Sequence, residues 1–422
     1  MTQASPSHFD ALETRDPAVR EAQLFQRLPQ HLAWVHSLHP NNPLGLNPDN
    51  LSGCNTRKAL SGLPVLRKSQ VLERQQQTRG TQLFGGFAST GYGPNMPRVF
   101  ASPGPIYEPE GQQKNHWRMA RALYAAGFRP GELVHNCFSY HMTPAGSMME
   151  TGAHALGATV FAGGTGNTEQ QLQAMVDLQP AGYCGTPSFL RILLEKAQET
   201  GIRLPFLTKA MVSGEACPPS LRDWFATQGV AVYQCYATAD VGLIAYETSA
   251  REGLVVDEDV ILEIVRPGTG DPVPEGEVGE VVVTTFNSVY PLVRFGTGDL
   301  SAILPGPCPT GRTQTRIKGW MGRADQTTKV RGMFVHPSQV ADICKRHPEV
   351  HKGRLVVSGA MANDQMTLRV ETVLRSEHLQ LLLTALETTA REVTKLRCQV
   401  EHVALGSLPN DGKVIEDTRQ LN

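Results

Sequence analysis

The chain has 422 residues, of which 40% are hydrophobic and 19% are charged, and its formal net charge is -1 at pH 7. A chain of this length and composition can bury a large core and usually divides into more than one domain. The balanced charge offers no basic surface to DNA, RNA or an anionic membrane, so none of these is expected as a partner.

The cysteines and the opening segment predict the compartment. Eight cysteines are spread singly, without the spacing of a zinc site or of a disulfide framework, and are expected to be free thiols in a reducing compartment. Residues 1–25 are polar and charged where a secretory signal needs an apolar run, and no later segment reaches transmembrane length. The protein is therefore expected to be cytoplasmic.

In chain order, an amphipathic helix is predicted over 16–37, followed by a loop rich in proline and asparagine. From Leu133 onward, apolar runs alternate with helical segments. The predicted strands lie within 133–138, 158–163, 181–186, 209–214 and 230–237, and the predicted helices are 145–156, 168–178, 188–200 and 218–227. Strands that alternate with helices predict an α/β fold with a mainly parallel, doubly wound sheet.

The pattern changes in the second half of the chain. Alternating residues and turn-forming glycine and proline predict a separate antiparallel β-subdomain over about 255–320. Beyond Arg323, strands and helices, the latter at 337–346 and 377–394, predict a small α+β domain. The predicted domains are 1–323 and 324–422.

Four segments place glycine or an acidic residue near a strand end, where open α/β sheets bind their ligands. The first, VSGEACP at 212–218, alone reads as an ordinary turn from strand to helix. The second, YQCYATADVG at 233–242, contains Tyr236, which could stack on a planar base, and Asp240, which could bind magnesium. Taken alone, this second segment is better explained by a buried core tyrosine and a helix-capping aspartate.

The third segment is VRFGTGDLS at 293–301, where Asp299 could accept hydrogen bonds from two sugar hydroxyls or could simply lie in a turn. The fourth, at 316–340, is rich in charge and glycine, and a solvated linker explains it as well. In it Arg323 could contact a ribose and Asp325 could act as a hinge. The order of the four segments is more specific than any one of them.

With these segments in place, the chain resembles the adenylate-forming superfamily and is similar, within it, to the phenylacetate-CoA ligase family. The resemblance covers nearly the whole chain and is most specific at 135–190, at FGTGDL (295–300) and at 322–340. It implies a two-domain enzyme with a mobile C-terminal domain. A carboxylate, in this case of an aromatic or arylacetic acid, would react with ATP to give an acyl-adenylate, and coenzyme A would then give a thioester and AMP.

The resemblance also implies roles for the nucleotide-binding residues. Gly214, Glu215 and Ala216 would line the adenine site, Tyr236 would stack on adenine, and Asp299 with Arg323 would hold the ribose. The predicted domain 1–323 would therefore be the AMP-binding and acyl-substrate domain. The Mg²⁺ ligand would be Asp240, which stands where the family has a glutamate, so that the acid is shorter by one methylene and two neighbouring positions differ.

The resemblance implies that the small domain rotates between the two half-reactions and that four residues near or within it have roles in this cycle. Lys413, in SLPNDGKVIED, would stabilise the adenylation transition state. Asp325 is the matching hinge position, and Arg331 and Gly332 would serve thioester formation.

The substrate and phosphate sites follow from the same resemblance. The acyl pocket candidates, which could also be core residues, are Phe138, Ser139, Tyr140, Ser213 and Ala237. The phosphate loop would be FASTGYGPNMPRVFAS at 87–102, with Ser89, Thr90, Gly91 and Gly93 in the matching positions. Tyr92 replaces a threonine there and the family's lysine is absent, which leaves Arg98 as the nearest cation.

Two alternatives stay open. An adenylating enzyme could deliver the acyl group to a carrier protein or an amine instead of coenzyme A. A degenerate homologue could bind a nucleotide without turning it over, which the altered phosphate loop and the altered segment from Tyr236 to Asp240 would explain. The resemblance further suggests a homodimer.

Overall fold

A computed structural model of the chain describes residues 7–38, 44–266, 269–321, 323–324, 326, 328–331, 333–335, 337–359, 364–409 and 414–419. The chain divides into two compact units, Met1–Met321 and Gly322–Asn422. In the described residues no helix is both long and apolar enough to cross a bilayer.

The first unit mixes helices and strands in the predicted alternation. Its helices are α1 (Pro17–Leu38), α2 (Pro48–Leu51), α3 (Arg57–Ser61), α4 (Lys68–Gln77), α5 (Met119–Ala125), α6 (Ala145–Leu156), α7 (Thr168–Leu178), α8 (Pro187–Glu199) and α9 (Pro219–Thr227). Its strands are β1 (Leu66–Arg67), β2 (Arg98–Ser102), β3 (Ile106–Glu110), β4 (Leu133–Asn136), β5 (Thr159–Ala162), β6 (Gly182–Gly185), β7 (Lys209–Val212), β8 (Ala231–Thr238), β9 (Gly242–Tyr246), β10 (Leu254–Val256), β11 (Val260–Val265), β12 (Gly279–Thr285), β13 (Phe295–Ser301), β14 (Ile303–Leu304) and β15 (Arg316–Ile317).

A large sheet forms the centre of this unit, in the order β14-β15-β10-β9-β8-β7-β6-β4-β5. Strands β5, β4, β6, β7 and β8 pair in parallel, and β9, β10, β15 and β14 continue the sheet in antiparallel pairs. Local signals fix the helices between the parallel strands. The side chain of Thr186 caps α8 ahead of Pro187, and Gly157 ends α6 with a φ of 88°. The structure confirms the predicted α/β class.

The segment predicted as one β-subdomain, about 255–320, contributes to two sheets instead. Strands β11, β12 and β13 form an antiparallel sheet that β1 joins in parallel, with Leu66 opposite Phe295. Strands β10, β14 and β15 extend the large sheet. All of β10 and β11 is buried, so both read as continuous apolar runs and the sequence does not distinguish their sheets.

The second unit is a small α+β structure, as predicted. Its elements are β16 (Thr328–Val330), β17 (Met333–Val335), α10 (Pro337–Lys345), β18 (Val350–Ser358), β19 (Gln365–Thr372), α11 (Ser376–Thr394), β20 (Gln399–Val403) and β21 (Ile415–Asp417). Strands β16 and β17 form a hairpin, and the other four form a sheet in the order β20-β19-β18-β21. Ile343 of α10 and Leu386 of α11 belong to the same buried core as Leu355 and Leu368 of this sheet.

Candidate functional site

The carboxyl edge of the parallel strands collects most of the predicted site residues. Phe138 follows β4, Ser213 and Gly214 follow β7, and Tyr236 lies near the carboxyl end of β8. Because β4, β6, β7 and β8 are parallel neighbours, these strand ends lie side by side. This edge is where open α/β sheets bind ligands.

Tyr236 and Asp299, predicted independently for adenine and ribose, are in contact. The Tyr236 hydroxyl donates to Oδ2 of Asp299 at 2.9 Å, and the indole Nε1 of Trp320 donates to Oδ1 at 3.1 Å. The Asp299 backbone N–H also donates to Oγ1 of Thr297 at 3.1 Å. Asp299 is buried, whereas the Trp320 side chain is 43% exposed. The carboxylate is therefore held in a fixed orientation between two aromatic donors.

Asp240 lies in the turn between β8 and β9 and is only 3% exposed. The ammonium of Lys68, the first residue of α4, lies 3.0 Å from its Oδ2. Glu108 of β3 is fully buried, and both its oxygens accept hydrogen bonds from Ser102. Burial, and after it the negative charge of Asp240, raise the pKa of Glu108 to about 8. Glu108 is therefore mostly protonated at neutral pH.

The residues at Asp240 fit a magnesium ion that arrives with a nucleotide. Its Oδ1 is buried and has no hydrogen-bond partner in the described part of the chain, which leaves one carboxylate oxygen for a hard cation. No group of three or more His, Cys, Asp or Glu within the described residues could hold a metal by itself. Magnesium commonly takes one or two protein carboxylates and completes its shell with phosphate oxygens and water.

The turn predicted to line the adenine site has an open backbone. Gly214 has a φ of 81°, a left-handed conformation that favours glycine, and a Cβ there would meet only Thr186 Cγ2 at 3.9 Å. Glu215 and Ala216, which follow it, are half-buried. A planar ligand could therefore approach the main chain of this turn closely.

The candidate acyl residues combine an apolar wall with hydroxyl groups that are already bonded internally. Phe138 is buried in the core cluster against which Ala237 packs. The Ser213 hydroxyl donates to the carbonyl oxygen of Cys235 at 2.8 Å, and that of Ser139 donates to His141 at 2.9 Å. The Tyr140 hydroxyl accepts from Asn136 at 2.8 Å, and burial together with Glu150 raises the pKa of this tyrosine.

The predicted phosphate loop is anchored at its start and open afterwards. The backbone N–H of Ser89 donates to Val289 at 2.9 Å, and its hydroxyl donates to the carbonyl oxygen of Ser288 at 2.5 Å. Gly91 has open space around its Cα, Gly93 has a φ of 143°, and Tyr92 is 73% exposed. A cavity of about 270 Å³ lies beside the loop, lined by Ser89, Thr90, Asn95, Gln112, Gln113, Ser288 and Val289. Its lining is electrically neutral.

Arg98, the cation nearest in sequence to the position of the missing lysine, is paired with carboxylates. Its Nη1 donates to Oε1 of Glu110 at 2.7 Å and to Ser147 at 3.2 Å, and its Nη2 lies 3.8 Å from Oε1 of Glu150. Two carboxylates from β3 and α6 therefore neutralise this guanidinium. The reason is that Arg98 already lies in β2, paired with Glu110 across the hairpin, rather than in the loop.

The remaining predicted residues belong to the second unit or lie outside the described residues. Arg323 was predicted within the first domain, whereas the second compact unit begins at Gly322 and includes it. Arg331 lies in the turn of the β16–β17 hairpin, and its backbone N–H donates to Asp364 at 2.7 Å. Asp325, Gly332 and Lys413 lie outside the described residues.

Sequence reasoning missed Lys68, Glu108 and Trp320. Lys68 lies in 63–75, a segment whose Leu-Pro pair, basic position and short helix resemble the family's entry segment, and Trp320 lies in the fourth segment described above, but neither residue was assigned a role. Glu108 carries no comparable signal, because its burial is a tertiary property.

The fold is that of the adenylate-forming CoA ligases. The solved structure of 2-hydroxyisobutyryl-CoA ligase with 2-HIB-AMP and CoA matches with a TM-score of 0.81 at 23% identity, over 100% of this chain and 94% of that one. Residues 113–289 match the family model described as AMP-binding enzyme.

Curated relatives narrow this class. Phenylacetate-coenzyme A ligase of Thermus thermophilus is 30% identical over 85% of this chain and 83% of its own. The enzyme of that name from Aromatoleum evansii is 29% identical over 87% of this chain and 85% of its own. The one from Pseudomonas putida is 28% identical over 96% of this chain and 95% of its own. The chain belongs to the phenylacetate-CoA ligase family.

Proposed function

We propose that the protein is an ATP-dependent, AMP-forming acid–CoA ligase that acts on an aromatic or arylacetic acid. In the first half-reaction the carboxylate attacks the α-phosphate of ATP, which gives an acyl-adenylate and pyrophosphate. In the second the thiol of coenzyme A attacks the acyl carbon, which gives the thioester and AMP. Family membership supports this activity. The structural observation that supports it most directly is the contact of Tyr236 with Asp299 at the carboxyl edge of the parallel sheet.

The nucleotide would bind along this edge. The open turn at Gly214, with Glu215 and Ala216, would receive the adenine and Tyr236 would stack on it. The Asp299 carboxylate would accept hydrogen bonds from the ribose hydroxyls, with Arg323 as a further ribose ligand. Both Asp299 oxygens already accept a hydrogen bond from an aromatic donor, so the carboxylate is oriented before the ribose arrives.

The phosphates would lie between Asp240 and the loop that starts at Ser89. When bound, Mg²⁺ would neutralise phosphate charge, with Asp240 as its protein ligand. Thr90, Gly91 and Gly93 would supply hydroxyl and backbone donors. The lining of the cavity beside the loop is neutral, and at the Asp240 end of the proposed phosphate site the ammonium of Lys68 lies 3.0 Å from Oδ2 of Asp240.

The acyl group would lie against Phe138 and Ala237. Apolar contact with few polar groups suits an aromatic ring, since the hydroxyl groups of Ser139, Tyr140 and Ser213 face partners within the protein. This arrangement supports an aromatic or arylacetic acid over a strongly polar one.

The small domain, predicted from sequence as 324–422, lies within the second unit, Gly322–Asn422, and would serve both half-reactions. Lys413 would stabilise the charge that develops in adenylation. Arg331 and Gly332 would serve thioester formation, and Asp325 would be the hinge between the two arrangements.

We further propose that the protein is a cytoplasmic homodimer. The cysteines in the described part of the chain are free, and all but the half-buried Cys344 are buried, which suits a reducing compartment. The homodimer rests on the family resemblance alone, and light scattering on the purified protein would test it.

An isotope-exchange screen tests the activity. Acid-dependent exchange of labelled pyrophosphate into ATP should appear with members of a panel of aromatic acids, and adding coenzyme A should release AMP. Exchange that leads to no coenzyme A thioester would indicate a carrier protein or an amine as acceptor. Tight ATP binding in calorimetry with no exchange for any acid would instead indicate a non-catalytic nucleotide-binding homologue.

A further inference from the structure

Asp364, the residue before β19, joins two separate segments of the second unit. Its Oδ2 accepts from the backbone N–H of Arg331 at 2.7 Å, and its Oδ1 accepts from Nη1 of Arg419 at 2.8 Å. The Nε of Arg331 also donates to the carbonyl oxygen of Asp364 at 3.1 Å. Arg331 has a φ of 48°, a left-handed conformation that is unfavourable for a residue with a side chain. The bonds to Asp364 compensate for this and fix the turn.

Arg419 lies at the centre of this group and uses most of its donors. Its Nε donates to Oδ1 of Asp417 at 2.8 Å, its Nη1 donates to the carbonyl oxygen of Lys329 at 2.9 Å, and its Nη2 lies 3.1 Å from the Thr328 hydroxyl and also contacts Asp417. The Thr328 hydroxyl donates to Oδ2 of Asp417 at 2.6 Å. We call Arg419, Asp364, Asp417 and Thr328 the Arg419 clamp.

The Arg419 clamp is partly buried. The side chains of Arg419 and Asp364 are 14% and 12% exposed, and that of Asp417 is 25% exposed. Burial alone would raise the pKa of Asp417, but the hydrogen bonds from Arg419 and Thr328 outweigh it and lower that pKa below its ordinary value. The planar guanidinium holds its five N–H donors in a rigid fork that bonds both carboxylates, and a lysine ammonium does not reproduce this geometry.

The clamp joins the segments on which the two half-reactions are proposed to depend. Thr328 and Lys329 belong to β16, which leads into the Arg331 turn. Asp417 ends β21, the strand that starts at Ile415, two residues after Lys413. The amide oxygen of Gln326 accepts from the Val414 backbone at 2.7 Å and so ties the start of this strand to the same region.

We infer that Arg419 is a positioning residue, which holds the Arg331 turn and the strand that follows Lys413 in a fixed mutual arrangement. The inference rests on the proposed function for the roles of those two segments. Arg419 acts only through them, so its loss should slow chemistry without weakening the binding of ATP, whose proposed adenine site belongs to the first unit.

The test compares Arg419→Gln and Arg419→Lys with a matched control, Arg369→Gln. Arg369 lies in β19 and pairs with Glu401 at 3.2 Å, but both side chains are about half exposed, at 45% and 53%. Each variant is assayed for pyrophosphate exchange, and separately for thioester formation from a supplied acyl-adenylate and coenzyme A. Circular dichroism and the unfolding midpoint establish the folded fraction.

In Arg419→Gln, kcat of both half-reactions per folded protein should fall about ten- to a hundredfold, the scale expected for displaced catalytic groups, with KM for ATP within about twofold of wild type. Arg419→Lys should keep most of the stability but recover less than half of the lost rate, because it lacks the planar fork. Arg369→Gln should behave as wild type. Unchanged rates in Arg419→Gln, or a loss only in proportion to unfolded protein, would overturn the inference.

Hydrogen exchange separates this inference from the proposed function. Amides of 328–331 should exchange at least about tenfold faster in Arg419→Gln than in Arg369→Gln, since the clamp closes this turn. If wild type supports neither half-reaction, the proposed function fails while this measurement still decides whether the clamp positions the turn. Equal amide exchange rates at 328–331 in the two variants would show that the Arg419 clamp does not hold this turn, whatever the enzymatic activity.

Discussion

The hydroxyl of Tyr236 lies 2.9 Å from Oδ2 of Asp299, and this contact joins β8 of the large sheet to β13 of the four-stranded sheet. Trp320 donates to the second oxygen of the same carboxylate. A ribose that reaches Asp299 therefore meets an acceptor whose orientation two aromatic side chains have already fixed.

The first prediction separates the ring of Tyr236 from its hydroxyl. Tyr236→Phe should lower the free energy of unfolding by about 1–2 kcal/mol, since a hydrogen bond to a carboxylate is lost, and should raise KM for ATP only a few-fold. Tyr236→Ala also removes the stacking surface and should raise KM at least about tenfold, because base–aromatic stacking contributes about 1–3 kcal/mol. Urea unfolding and pyrophosphate-exchange kinetics provide the measurements. Equal KM values in the two variants would exclude stacking.

The second prediction uses Trp320 as a reporter. It is 43% exposed, whereas the other three tryptophans of the chain are buried or half-buried. Because its indole N–H donates to Asp299, nucleotide binding at that carboxylate should change tryptophan fluorescence. The change should be absent in Trp320→Phe and retained in Trp224→Phe, which alters a tryptophan on α9. An unchanged ATP titration in Trp320→Phe would place the nucleotide elsewhere.

Helices with clear local signals were predictable to the residue. Helices α6 and α7 have the predicted bounds, 145–156 and 168–178, because apolar and small residues recur at helical spacing and Gly157 closes α6. The hairpin of β2 and β3 was not predicted, since Pro109 lies inside β3 and Pro105 in the turn, and proline disfavours a strand. Helix α5 was missed because six of its seven residues are buried, which leaves no polar face.

The sequence motifs predicted individual residues of the candidate site, but they did not predict which of these residues contact one another. Tyr236 and Asp299 were each found from a strand end, yet their hydrogen bond spans 63 residues of sequence. Lys68 reaches Asp240 across 172 residues, a contact set by how α4 packs and not by any local pattern. Arg98 was named as the nearest cation to the phosphate loop because it is close in sequence. Its ion pair with Glu110 depends on the pairing of β2 with β3, which the sequence did not predict.

The third prediction concerns the phosphate loop. Replacing Ser89 and Thr90 together by Ala removes the bond that anchors the loop to Ser288 and one exposed hydroxyl, so KM for pyrophosphate in the exchange reaction should rise about tenfold, the value of roughly one hydrogen bond to a charged group. Thioester formation from a supplied acyl-adenylate should not change. Ser61→Ala, which removes a similar bond from a hydroxyl to a carbonyl on α3, is the control. Unchanged exchange kinetics would mean that the loop only turns the chain.

The fourth prediction concerns Lys68, whose ammonium neutralises Asp240. Lys68→Met leaves a buried carboxylate without its partner and should lower the free energy of unfolding by about 1–3 kcal/mol, less than for a fully buried pair because the Lys68 side chain is 38% exposed. The double variant Lys68→Met with Asp240→Asn should recover most of this loss, since no unpaired charge remains. Chemical denaturation of the two single variants and the double variant measures the coupling, and additive effects would contradict it.

The fifth prediction follows from Glu108, whose pKa burial and the charge of Asp240 raise to about 8. The ordinary glutamate pKa is about 4.3, so between there and about 8 the folded chain binds a proton that the unfolded chain has lost. The free energy of unfolding should then fall as pH rises through this window, by up to about 1.4 kcal/mol per pH unit, relative to Glu108→Gln, which cannot ionise. In Asp240→Asn the window should end at a lower pH, because one cause of the raised pKa is gone while burial remains. Urea denaturation at pH 5, 6, 7 and 8 gives the slopes, and equal slopes for wild type and Glu108→Gln would mean that Glu108 is already ionised at neutral pH.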